Sequence, residues 1–103
     1  MSKINSIWFI YLIRTDKGSL YTGITTDVDR RFKEHDASGI RAAKFLKGKG
    51  PLTLAFFTEV GGRSHALKLE YRVKRLTKRK KEQIIFGSIT LPDLFPELFK
   101  VAI

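Results

Sequence analysis

The stretch SIWFIYLIRTDKGSLYTGIT, residues 6 to 25, places two runs of β-branched and aromatic residues on either side of Asp16-Lys17-Gly18. That pattern predicts a β-hairpin with a three-residue loop and glycine in its left-handed position. If Thr15 and Ser19 close the loop, strand alternation puts Tyr11 and Tyr21 on one face and Gly23 opposite Tyr11. The missing side chain at Gly23 leaves space beside Tyr11 for a ligand or for another stretch of backbone. A third run, LTLAFFTEV at 52 to 60, predicts a further strand, stopped by Gly61-Gly62.

Helical periodicity fills the rest of the chain. From an N-cap at Thr26 or Asp27, DVDRRFKEHDASG predicts a helix ending at Gly39, with Val28 and Phe32 on its buried side. Arg31 and His35, also four apart, fall at the edge of that stripe and point toward the sheet. The segment GIRAAKFLKGKGP, 39 to 51, reads as a basic loop or short helical turn. Ser64 is positioned to cap a second helix over HALKLEYRVKRLTKRKKEQIIF, 65 to 86, with a break near Thr77. Ala66, Leu69, Val73 and Leu76 form its apolar stripe, and Glu70, the only acid between Arg63 and Lys81, stands beside it where an apolar residue would bury more surface. In the tail, 88 to 103, the apolar residues Leu91, Leu94, Phe95, Leu98 and Ala102 keep a helical spacing interrupted by Pro96. The tail is expected to pack back on the domain, with a dimer or partner contact as the alternative.

Size and charge narrow what such a chain can do. At 103 residues and 11.8 kDa it has the length of a single domain, so any active site opens on the surface rather than in a large internal cavity. A hydrophobic content of 43% with 12% aromatics is that of a folded globular protein rather than a disordered one. Twenty Lys and Arg against ten Asp and Glu give a formal charge of +10 and a pI near 10.2. Such a field attracts polyanions, nucleic acid first among them; the plainer alternative is charge that serves solubility alone. The lack of cysteine excludes disulfides, thiolate nucleophiles and Cys-based zinc sites, and it suits a reducing compartment. The longest apolar run, IWFIYLI at 7 to 13, is far below membrane-spanning length, and MSKINS lacks the features of a secretory signal. A cytoplasmic location is therefore expected, with no membrane partner.

Few residues remain to carry chemistry. The two histidines, His35 and His65, lie on different predicted helices without HxxxH or HExxH spacing, which argues against a histidine metal site. No nucleophile elbow, Walker loop or paired-carboxylate motif is present. What is left is two tyrosines, an arginine, a histidine and a glutamate. These suit phosphodiester hydrolysis, which needs a base for water, positive charge for the phosphate oxygens and help for the leaving oxygen. An arginine fork holds two phosphate oxygens and stays charged. A lone carboxylate can anchor a Mg²⁺ that keeps most of its waters and binds substrate phosphate. A tyrosine with its ordinary pKa of about 10 is a poor base at neutral pH, so surrounding positive charge becomes a requirement. Each residue also has a plainer reading: packing tyrosines, a solvated Arg31, a Glu70 that neutralises a neighbouring base, a His35 that favours its helix dipole. Composition and spacing leave both readings open.

Taken in order, Tyr11 in FIY, Tyr21 to Gly23 in YTG, then Arg31, His35 and Glu70 resemble the GIY-YIG nuclease domain over roughly residues 6 to 85. LYTGITTDVDRRFKEH, AAKFLKGKGPL and HALKLEYRVKRL are most similar to the small stand-alone YhbQ-like bacterial members of that superfamily. The resemblance implies an α/β (α+β) fold, a small three-stranded antiparallel sheet flanked by helices, with which the elements read above are compatible. It implies Tyr11 as general base or hydrogen-bond partner of the attacking water, Tyr21 as its support, and Arg31 on the phosphate charge. His35 would position water or substrate or share the base role, and Glu70 would ligate a divalent ion, Mg²⁺ or Mn²⁺. Phe9 stands where the first motif has its glycine, and Ile24 follows YTG where repair nucleases of the family place a lysine. The asparagine that many members carry late in the domain has no counterpart, since Asn5 is the chain's only one.

The implied activity is a metal-dependent endonuclease on DNA, in repair or recombination, with branched and single-stranded DNA among the candidate substrates. Its path for the strand runs between Arg41, Lys44, Lys47 and Lys49 on one side and Lys74, Arg75 and the basic run Lys78 to Lys81 on the other. Phosphate contacts of that kind are salt-dependent and largely blind to sequence. The competing expectation is a non-catalytic nucleic-acid-binding module on the same fold.

Overall fold

The computed structural model describes residues 6–99. Three antiparallel strands, β1 (Trp8–Arg14), β2 (Leu20–Thr25) and β3 (Thr53–Gly61), lie in the order β2-β1-β3, with β1 in the centre. The hairpin closes as its loop chemistry predicts. The Thr15 amide donates to the Ser19 carbonyl at 2.9 Å, Gly18 takes φ +92, and Tyr11 pairs with Gly23. Helix α1 (Val28–Asp36) and a 3₁₀ turn (Lys44–Leu46) connect β2 to β3; α2 (Arg63–Lys74), α3 (Lys78–Phe86) and the one-turn α4 (Leu91–Leu94) follow it, with a second 3₁₀ turn at Pro96–Leu98.

Ile10 to Ile13 are all buried, which a strand achieves only when both sheet faces are covered. On one face Ile10 and Leu12 pack with Val60, Ala66, Leu69, Val73, Ile84 and Leu91 under α2, α3 and the tail. On the other, Tyr11 and Ile13 pack with Leu46 and Leu52, joined by Tyr21 and Phe32. Through residue 99 the tail folds back on its own domain: Leu91 is buried, and Leu94, Phe95, Leu98 and Phe99 lie against the same core. Thr90 and Asp93 form a reciprocal capping box at its start. Ala102, part of the predicted tail pattern, lies outside the described residues.

Two local boundaries differ from those read in the sequence, while the break near Thr77 falls where the sequence places it. Helix α1 starts at its Asp27 cap, whose carboxylate accepts from the Arg30 amide, but stops at Asp36 rather than running to Gly39. Ser38 takes the left-handed conformation there, with φ +54, and its hydroxyl accepts the Gly48 amide. Gly62, not Ser64, is the N-cap of α2. The long basic helix is divided at Arg75–Thr77, with the Thr77 hydroxyl capping α3 through the Lys80 amide. Arg14 of β1 fixes α3 to the sheet through a two-bond ion pair with Glu82.

Candidate active site

Strand β1 delivers Tyr11 to the face beneath α1, and the phenol extends across β2 at Gly23. A Cβ at that position would collide with Oη and Cζ of the tyrosine, so glycine is required by close approach rather than by backbone conformation. Tyr21 lies beside it, with ring centroids 6.4 Å apart. Arg31 and His35, one helical turn apart on α1, come down on the same place.

His35 is fully buried, and both ring nitrogens are engaged within the protein. The Ala43 amide donates to Nδ1 at 3.1 Å. A backbone N–H can only donate, so Nδ1 carries no proton and the neutral ring is protonated on Nε2. Nε2–H is therefore the donor to the Tyr11 hydroxyl oxygen, 2.9 Å away. Burial first, and the Arg31 charge second, press the His35 pKa from 6.5 to about 4. The imidazole stays neutral at physiological pH and has no free nitrogen for water or substrate in this arrangement.

The phenol itself is pushed up from 10.0 to about 12, by burial and then by Tyr21; the charge and hydrogen bonding of Arg31 pull it down, and the charge of Glu70 pushes it up. The charges of Arg31, on α1, and of Glu70, on α2, thus both act at the Tyr11 hydroxyl. Arg31 is aimed by two acceptors, with Nη1 donating to Glu34 Oε1 and to the Arg41 carbonyl, each at 2.7 Å. That hydrogen bond in turn holds the Glu34 carboxyl below its ordinary range. Glu70 flanks the buried stripe of Ala66, Leu69 and Val73, as its spacing predicts, and its carboxylate faces Lys74 Nζ at 3.4 Å.

The basic residues divide into two groups. Arg41 is tied to Arg31 through its carbonyl, Lys44 opens the 3₁₀ turn and Lys47 ends it, and Lys49 holds its ammonium 3.9 Å from the centroid of the Phe45 ring. This group reaches the tyrosines through Phe45, whose ring stacks on Tyr21. In the second, Lys74 pairs with Glu70, and the Arg75 guanidinium lies over Tyr71 at 5.4 Å. Lys78 Nζ sits 3.6 Å from where a Cβ at Gly18 would project, which brings the start of α3 to the hairpin tip. Burial, then the charge of Lys74, lowers the Lys81 pKa. Sequence reasoning did not single out Glu34, the Ala43 amide or Phe45. An aromatic residue between lysines in AKFLKGK was the available signal for the last.

Among the described residues no helix is long and apolar enough to cross a membrane. A model of the GIY-YIG catalytic domain matches residues 7–83, a span that contains Tyr11, Tyr21, Arg31, His35 and Glu70. A UPF0213 protein of Enterobacter is 55% identical over 91 residues, covering 88% of this chain and 87% of its own. UPF0213 protein YhbQ of Escherichia coli O139:H28 is likewise 55% identical, over 88% of this chain and 89% of its own. The solution structure of a UPF0213 protein from Bacillus halodurans is 40% identical, with a TM-score of 0.49 over 78% of this chain and 83% of that one. The chain belongs to the GIY-YIG family, a nuclease family whose substrates are nucleic acids.

Proposed function

We propose that the protein is a metal-dependent endonuclease that hydrolyses DNA phosphodiester bonds, in repair or recombination. The observation that carries this reading is the path Ala43 N–H to His35 to Tyr11. It fixes a buried imidazole so that its one remaining proton is spent on a phenol oxygen already faced by an arginine.

Tyr11 Oη is the atom that takes a proton from the attacking water. To do so the phenol must first lose its own proton to solvent water. At a pKa of about 12, only about one molecule in 10⁵ is ionised at pH 7. Two donors act against that penalty, His35 Nε2–H and the Arg31 guanidinium, because both bind the phenolate more strongly than the phenol. In its tautomer His35 cannot receive the phenol's proton, so it is a positioning residue that supports the anion. Arg31 also opposes the charge that builds on the phosphate oxygens, while Tyr21 walls the Tyr11 and His35 rings.

Among the described residues no group of three or more His, Cys, Asp or Glu is arranged to hold a metal ion. The lone, partly exposed Glu70 carboxylate instead suits Mg²⁺ or Mn²⁺ held by one side chain, waters and substrate phosphate. When bound there, such an ion supplies Lewis-acid stabilisation of the phosphate and leaving oxygen and cancels the push of Glu70 on the phenol. The same high phenol pKa is what favours the second reading, a nucleic-acid-binding module without turnover.

The test incubates purified protein with plasmid, single-stranded and branched DNA, in Mg²⁺ or chelator, beside Tyr11→Phe and Glu70→Ala. Cleavage is expected with Mg²⁺ only, reduced at least about 10²-fold in both variants. Cleavage by both variants at the rate of the unaltered protein rejects the site. Tight binding with no cleavage on any substrate assigns the binding-only reading.

A further inference from the structure

Phe45 stands outside the hydrogen-bonded set yet touches it. It sits in the middle of the 3₁₀ turn beside Leu46, which fills the core completely, while Phe45 itself remains 43% exposed. Its ring stacks on Tyr21 at 6.0 Å and 21° between planes. Tyr21 in turn meets the His35 ring at 5.5 Å. The Lys49 ammonium lies 3.9 Å from the Phe45 centroid, which shows that the ring offers a π surface to a ligand-sized group. Lys44 precedes it in the same turn. Packing requires none of this, because Leu46 already anchors the turn.

A half-exposed aromatic ring with an ammonium over it matches one nucleotide unit: a flat base for the ring and a phosphate for the lysine. Bases inside a continuous duplex have both faces covered by their neighbours, so only a base released from the stack can use such a ring. We propose that Phe45 is a stacking platform for one unpaired nucleobase beside the scissile phosphate. The site then selects single strands, flaps and branch points over continuous duplex. On binding, Lys49 leaves the ring for a phosphate. This assignment rests on the reading in which Tyr11 faces the scissile phosphate.

The test measures binding in chelator, where cleavage does not interfere. The probes are a short single-stranded oligodeoxynucleotide carrying one 2-aminopurine and a fully paired duplex of the same sequence. Phe45→Leu keeps apolar volume and removes the π face; Phe45→Tyr keeps the face. The leucine variant is expected to lose single-strand affinity at least about fivefold and to lose the fluorescence change of the probe, with duplex affinity unchanged. The tyrosine variant is expected to bind both probes as the unaltered protein does. Single-strand binding by Phe45→Leu at full strength, or an equal loss for both probes, overturns the platform. Tyr11→Phe, measured in parallel, keeps the fluorescence change if the platform exists. The stacking assignment and the catalytic assignment therefore fail on separate readouts.

Discussion

The two faces of the sheet draw on the same strand and solve different problems. From β1, Ile10 and Leu12 go to a layer of aliphatic side chains closed by α2, α3 and the tail. Tyr11 goes the other way, into a layer where a buried histidine, the Tyr11 phenol and an arginine are held by directed bonds and the Tyr21 ring packs against the first two. Hydrocarbon contacts are non-directional, and many combinations of similar volume fill that first space. In the second layer each group depends on a particular partner atom, and a leucine in place of His35 would bury apolar surface without leaving two nitrogens to satisfy. The first layer is built for folding; the second accepts polar burial for the sake of one hydroxyl.

The sharpest way to break this contrast is to damage each layer separately. Tyr11→Phe removes the reacting oxygen and is expected to lower kcat by about 10²–10⁴. It also leaves His35 Nε2–H without an acceptor, a stability loss of about 1–3 kcal/mol. Ile84→Ala, in the aliphatic layer, is expected to lose about 2–5 kcal/mol of stability while the rate per folded molecule stays unchanged. Denaturant titration beside cleavage kinetics at a temperature where both variants are folded checks the pair. Similar rate losses in the two would abolish the division of labour.

Gly23→Ala sharpens the comparison at a single methyl. The added carbon meets the Tyr11 phenol, and both sit in ordered strands, so the ring has to shift. Overpacking of this kind costs about 1–3 kcal/mol, and displacement of the phenol by about 1 Å lowers the rate about 10²-fold. A double variant with Tyr11→Phe should show little further loss of rate, since the displaced oxygen is already gone. Additive rate losses would mean that Gly23 serves something other than the phenol.

Much of this arrangement is legible in the sequence because it is local. Loop length fixes the hairpin register, and the register places Tyr11 over Gly23 and beside Tyr21. Four-residue spacing aligns Arg31 with His35, and an acid next to an apolar stripe marks Glu70. What is not legible depends on atoms brought together from a distance. The His35 tautomer is set by the amide of Ala43, in a segment the pattern leaves as loop or turn. The early end of α1 reflects a Ser38 hydroxyl bonded to Gly48. Lys74 reads as one of several candidate phosphate contacts but is engaged by Glu70. Phe45 reads as an ordinary loop aromatic until its stacking on Tyr21 is seen.

The pH dependence of stability tests the buried imidazole without any substrate. His35 has a pKa of about 4 in the folded protein against 6.5 when unperturbed, so between those values the unfolded chain binds a proton that the native state does not. Stability is then complete above pH 6.5 and falls as the pH drops toward 4, by on the order of 2 kcal/mol. The carboxylates with lowered pKa values, Glu34, Glu82 and Asp93, have ordinary values of 4.5 or below. Their contributions are lost only further into acid, which leaves the interval from pH 6.5 to about 4.5 mainly to the histidine. Urea midpoints measured across that interval should fall for the native protein and stay nearly level for His35→Gln, whose side chain does not titrate. The aliphatic layer has no such signature, so a native curve as flat as that of the variant would show that His35 is charged or solvent-accessible, and the donor to Tyr11 would be lost with it.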